Sequence, residues 1–339
     1  MAGVAAVLVA AARLVRRDFA RLGGLPANNF VIFGLILANQ GGNNWFFSIL
    51  IGLVLLLALS VDPLSSFPAA RRASWPLTPA ARRVVRLGAL ATTPTVWILV
   101  GLFVWRGAEA VVREAVAAAA VGGLLVALGS WALRRAPQRN PLALLPAPPG
   151  LLGPLWLKDL RQMLRTLDAG CAMAVSLVGC AGRFWVGLDW DGRMTMAVLV
   201  VIALSSYAQR LFGPDAVAGL DRYRIAPIRG WQALGSKAAA FVTVGVALTL
   251  PLDPLSGLAS SLAAVAVGFH PSTSRFAPLP PWSLAGAVLL PHSLTQGVLL
   301  IGAAVVVARQ TPLALAPIAA GAVIAAFWYG RRFERRLRR

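Results

Sequence analysis

From about residue 25 onward, apolar runs of roughly bilayer length alternate with short basic segments. A membrane-crossing helix needs about 20 predominantly apolar residues. On that rule, spans are predicted at 25–39, 45–61, 87–105, 115–133, 168–187, 194–208, 238–251, 255–269, 285–308 and 312–330. The runs at 25–39, 238–251 and 255–269 are shorter than the usual span, which predicts thin or tilted crossings or re-entrant hairpins. Ahead of the first run, Leu14, Val15, Phe19 and Leu22 recur at helical spacing beside Arg13, Arg16, Arg17 and Arg21. That pattern predicts a helix lying along the inner membrane surface. The apolar part precedes the positive part, the reverse of a secretory signal.

Composition agrees with the pattern. Of 339 residues, 58% are hydrophobic and 13% charged, against about 25% charged in soluble domains. Mean hydropathy is +0.73. No stretch remains for a soluble catalytic domain. The net charge of +20 would suggest nucleic acid in a soluble protein, but here the basic residues sit between apolar runs, which excludes that partner. Arginine supplies almost all of the charge; the only lysines are Lys158 and Lys237.

Charge also sets the topology. With the N-terminus inside, the predicted inner segments hold 27 of the 32 basic residues and the outer segments 5. This is a strong positive-inside bias and places both termini in the cytoplasm. Trp45, Trp105, Trp185 and Trp190 fall at outer ends, and Trp75, Trp131, Trp156, Trp231, Trp282 and Trp328 at inner ends or loops. Indoles collect at such interfaces. The expected fold class is therefore all-α: a polytopic integral membrane protein with about ten transmembrane helices.

The chain divides into two unequal half-modules, each opened by an amphipathic helix. Residues 1–134 form the first, with about four spans; 135–154 is a proline-rich linker; 155–339 forms the second, with about six spans and a basic tail. Each half has a basic inner loop after two spans. Arg71 lies five residues before Pro76 and Arg86 ten after it; Arg222 lies five before Pro227 and Lys237 ten after it.

Few residues promise chemistry. Gly230 to Lys237 contains a glycine pair and a lysine, but the lysine follows the serine and no strand precedes it, so it is not a phosphate-binding loop. His270 and His292 have no second ligand at metal spacing; His292 and Gln296 suit helix packing or a proton relay. Asp189 and Asp191 lack the rest of a calcium pattern. Glu109, Arg113 and Glu114 read as surface ion pairs, and Asn28, Asn29, Asn39, Gln40, Asn43 and Asn44 as water-facing caps or a polar path. Cys171 and Cys180, about 13 Å apart along a helix, cannot bridge. No cofactor and no catalytic constellation is expected.

The inner loop 209–237 is the most informative stretch: 29 residues with mixed charge, an aromatic and a central proline. Arginine and tyrosine are favoured interface anchors, which singles out Arg222, Tyr223 and Arg229. Phe212, Gly213, Asp215, Gly219, Arg222, Tyr223, Pro227, Leu234, Gly235 and Lys237 follow the order Phe-Gly, Asp, Gly, Arg-Tyr, Pro, Leu-Gly, Lys, with Ser236 inserted before the lysine. Together with the basic amphipathic helix from Leu155 to Leu167 and the spans on either side, this resembles the membrane subunit of an ABC-2-type exporter. The similarity covers 155–330 and, more loosely, 12–133; the first half departs by lacking two spans.

The resemblance implies a permease in the cytoplasmic (inner) membrane of a bacterium, driven by a separate ABC ATPase subunit, with no ATP site on this chain. It implies that the ATPase subunit touches Asp215, Arg222, Tyr223, Pro227, Arg229 and Lys237, and, through the aligned first-half loop, Arg71, Arg72 and Pro76. The alternatives are an ion-coupled secondary transporter, which should carry mid-membrane carboxylates, and a non-catalytic assembly subunit.

Overall fold

The structure, a computed structural model, describes residues 152–218, 223, 228–276, 278–279, 290–309 and 312–337, with a few isolated positions elsewhere. The chain forms two compact units: Met1–Leu25 with Gly34–Pro137, and Pro26–Phe33 with Gln138–Arg339. The elements below all belong to the second unit. The first four predicted spans lie outside the described residues.

The described secondary structure is helical, with no strand among the described residues. In chain order it comprises α1 (Leu152–Met163), α2 (Leu167–Ala181), α3 (Trp190–Ala208), α4 (Gly213–Ala218), α5 (Gly230–Thr249), α6 (Pro254–Ser274), α7 (Leu290–Arg309) and α8 (Leu315–Leu337). Five of these segments, containing α2, α3, α5, α7 and α8, are long and apolar enough to cross a membrane. Their length and composition suit a membrane-embedded helical protein.

Local signals explain the helix starts. Thr166 accepts a hydrogen bond from the Ala169 N–H and opens α2. Asp189 accepts from the Gly192 N–H at 2.8 Å and opens α3, so this acid serves as an N-cap. Asp253 accepts from the backbone N–H and the hydroxyl of Ser256, with Pro254 in the first turn of α6. Between α2 and α3, a π-helical turn over Gly182–Val186 ends at Gly187, whose φ of 71° suits glycine. Asp191, in the first turn of α3, lies 3.9 Å from Arg309 in an exposed pair.

Helix α3 is apolar all round and sits at the centre: every residue from Met196 to Ala208 is buried. It packs on α2, α5, α6 and α7, while α6 also packs on α5, α7 and α8. Small residues allow these approaches. A Cβ on Gly268 would collide with the backbone of Ala208 where α6 crosses α3, and one on Gly330 would strike the backbone of Trp231 where α8 meets α5. Between α3, α6 and α7, Gln209 donates to Ser293 (2.8 Å) and to Gln296 (2.9 Å), and Gln296 donates to the Ala264 carbonyl (2.6 Å).

The run expected at 238–251 differs from the structure in its start. Helix α5 begins at Gly230, where the Gln232 side chain accepts from the Arg229 N–H (2.8 Å) and Glu334 accepts from the Gly230 N–H (3.3 Å). The apolar run appeared short because Lys237 interrupts it; the helix continues through the lysine because its charge is neutralised inside the protein. The run at 255–269 likewise belongs to a helix of 21 residues ending at Ser274.

Candidate functional site

The two lysines of the chain meet. Helix α1 is amphipathic and carries Lys158, Asp159 and Gln162 along one side. The turn after α3 brings in Phe212, α4 brings Asp215, the loop beyond it brings Tyr223, and the first two turns of α5 bring Ser236 and Lys237. Lys237 Nζ lies 2.6 Å from Asp215 Oδ2 and 3.0 Å from Asp159 Oδ1. Lys158 Nζ lies 2.9 Å from Asp215 Oδ1 and 3.7 Å from Asp159 Oδ1. Two ammonium groups thus face two carboxylates, and the formal charge of the cluster is zero.

Neutral side chains also bond to the charged groups. Tyr223 donates to Asp215 Oδ2 (2.7 Å) and accepts from Lys158 (3.2 Å). Gln162 donates to Asp215 Oδ1 (3.2 Å), and Ser236 donates to Asp159 Oδ2 (3.0 Å). Lys237, Asp159 and Asp215 are buried, whereas the Lys158 side chain remains 36% exposed and marks the open side. Burial pushes the Tyr223 hydroxyl well above its usual titration range, against the pull of Lys237, so it remains a donor.

An aromatic group closes the other side. Phe212 stacks on Phe333 of α8 at 4.3 Å between ring centroids and meets Tyr223 edge-on at 5.7 Å. Lys237 Nζ sits 5.1 Å from the Phe212 centroid and Lys158 Nζ 5.4 Å from that of Tyr223. An ammonium over a ring face is attracted by the ring quadrupole. Lysine suits this place better than arginine. Its compact head directs three donors to two carboxylates and a ring, while a planar guanidinium presents a fork.

No family model, no curated protein and no solved structure matches this chain. The site must therefore be read from its own geometry.

Of the residues singled out in the sequence, Asp215, Tyr223 and Lys237 are brought together, but buried and turned toward one another, where they offer a partner little surface. Arg229 stands apart from them and is exposed at the start of α5. Arg71, Arg72, Pro76, Arg222 and Pro227 lie outside the described residues. Lys158, Asp159, Gln162, Ser236 and Phe333 were not singled out as site residues. The available signal was the use of lysine at only two positions in an arginine-rich chain, one of them in an apolar helix.

The histidines also meet: His270 of α6 and His292 of α7 stack with centroids 4.6 Å apart, beside Tyr329 of α8. The described residues hold no group of three or more His, Cys, Asp or Glu side chains placed to bind a metal. Chemically, the Lys–Asp cluster is a brace: it joins an amphipathic helix, a loop helix and the start of an apolar helix through charge-assisted hydrogen bonds.

Proposed function

We propose that this chain is the membrane permease of an ATP-driven exporter of the ABC type, working with ATPase subunits on separate chains. It lies in a bacterial inner membrane with about ten spans and both termini in the cytoplasm. The observation that carries this reading is the brace. Lys237, in the first turns of an apolar helix long enough to cross a membrane, is bonded to α1 through Asp159 and to α4 through Asp215. A push on the loop between α3 and α5 is therefore transmitted to α5 and α1 together. Pulling the parts away from one another would strand buried charge, at a cost of about 3–5 kcal/mol, so the assembly tilts as a body.

In this reading the contact with the ATPase subunit divides between two kinds of residue. Arg222 and Arg229 are the anchors, while Asp215, Tyr223 and Lys237 hold the loop from behind. Arg71, Arg72 and Pro76 supply the corresponding loop of the first half. No residue performs covalent chemistry.

Affinity capture of the tagged chain from its own cells tests the proposal. An ATP-hydrolysing subunit should co-purify, and Arg222→Ala/Arg229→Ala should weaken its capture by roughly thirtyfold, a loss typical of interface anchors. The charge-matched Arg338→Ala/Arg339→Ala should not. Equal loss in both variants, or an unchanged yield in the loop variant, defeats the docking assignment. The other reading is an ion-coupled transporter, in which Asp159 and Asp215 would have to exchange protons despite their pairing with Lys158 and Lys237. That reading wins if no ATPase is captured and the purified chain alone dissipates a proton gradient across vesicles.

A further inference from the structure

Helix α8 carries two kinds of surface on one face. Only 11% of its apolar window is buried against the rest of the chain. The buried side includes Ala322, Gly330 and Phe333, and the exposed side includes Ile324 and Trp328, bordered by Phe327, which is part exposed and stacks on Trp231 of α5 at 4.8 Å. Side chains three or four positions apart share a helix face. Phe327 is followed at that spacing by Arg331 and Arg335, and Trp328 by Arg331 and Arg332; all three arginines are exposed. The outward stripe thus turns from apolar to basic without leaving its face.

The neighbouring charges are engaged elsewhere. Glu334, the one acid of the tail, accepts from the Gly230 N–H, and Arg336 donates to the carbonyls of Thr273 and Ser274 at 2.9 Å. Arg331 to Arg335 spans about 6 Å along the axis, close to the depth of a lipid headgroup layer. An exposed indole one turn earlier suits the boundary between acyl chain and headgroup.

We propose that this stripe binds an anionic phospholipid, its acyl chain along Ile324, Phe327 and Trp328 and its phosphate held by Arg331, Arg332 and Arg335. Guanidinium forks match phosphate oxygens, and basic residues next to a membrane helix attract anionic headgroups. The inference requires only that α8 lies in a membrane and is independent of the exporter reading.

The test uses the full chain in phosphatidylcholine vesicles with trace spin-labelled phosphatidylglycerol or spin-labelled phosphatidylcholine. The motionally restricted fraction gives the relative affinity for the two lipids. The unmodified chain should prefer phosphatidylglycerol, and added salt should weaken the preference. Arg331→Gln/Arg332→Gln/Arg335→Gln should lower it by roughly fivefold or more, the equivalent of at least one lost surface charge contact. Replacement of the same three residues by lysine should retain most of it, which keeps the test decisive if the glutamine variant fails to insert. No preference in the unmodified chain, or one indifferent to salt, overturns the proposal. So does an equal loss in Arg13→Gln/Arg16→Gln/Arg17→Gln, which would indicate diffuse attraction. Disulfide-linked dimers through Ile324→Cys would show a second copy on this face and overturn it as well.

Discussion

Replacing Lys237 with methionine isolates the electrostatic role of the brace, because the side chains have similar length and the change leaves little cavity. Lys237 Nζ touches both buried carboxylates, at 2.6 and 3.0 Å. Without it, Asp159 and Asp215 share one cation, the partly exposed Lys158. Leaving a buried charge uncompensated costs about 3–5 kcal/mol. For a unit of roughly 200 residues this corresponds to a fall of about 6–20 °C in Tm. The informative step is the second substitution. Asp159→Asn restores one carboxylate facing one ammonium, and the amide oxygen can still accept from Ser236. Lys237→Met/Asp159→Asn should therefore be more stable than Lys237→Met alone, recovering about half of the loss. Thermal stability of the detergent-purified protein, followed by size-exclusion chromatography after heating, measures the series. The reasoning fails if Lys237→Met is neutral, or if the double variant falls below the single one.

Lys237→Arg should also destabilise, although it keeps the charge, because the larger planar head does not fit between Asp159, Asp215 and Phe212; a Tm equal to that of the unmodified chain would reject the shape argument. Gly330→Val places a branched side chain against the Trp231 backbone and should cost about 1–3 kcal/mol or prevent α8 from docking on α5, read as a lower Tm or greater protease sensitivity of the tail. Gln209→Leu removes the donor to Ser293 and Gln296 and should cost about 1–2 kcal/mol, whereas a neutral result would show that the two partners find other bonds. Reporter fusions at Arg339 and Gly192 should give opposite signals, and matching signals would remove the proposed topology.

The second-half helices were largely legible in the sequence because membrane hydropathy is a long-range average that survives single exceptions. The runs predicted to end at 208 and 251 belong to helices that end at Ala208 and Thr249, while the Thr166, Asp189 and Asp253 caps were not anticipated. The start of α5 was misplaced for a physical reason. A hydropathy reading assigns each charge to lipid or water, and Lys237 is in neither. The site was half legible. Asp215, Tyr223 and Lys237 stand within one loop and its following helix, so their association is local in sequence. Asp159 lies 78 residues before Lys237, and no periodicity links them. The burial of Tyr223 was also hidden, since an aromatic ring in a polar loop looks the same whether it awaits a partner or fills a gap beside Phe212 and Phe333.

That separation of 78 residues sets an order of events during synthesis. Lys158 and Asp159 emerge first, Asp215 and Tyr223 later, and Lys237 last. Until α5 is made, the nascent chain carries two carboxylates and one ammonium that must remain in water. The amphipathic α1 can wait at the membrane surface, but it cannot settle into its final seat before Lys237 arrives. Closure of the cluster thus registers that synthesis has reached α5. A chain truncated before residue 237 leaves Asp159 and Asp215 with Lys158 as their one cation within the cluster.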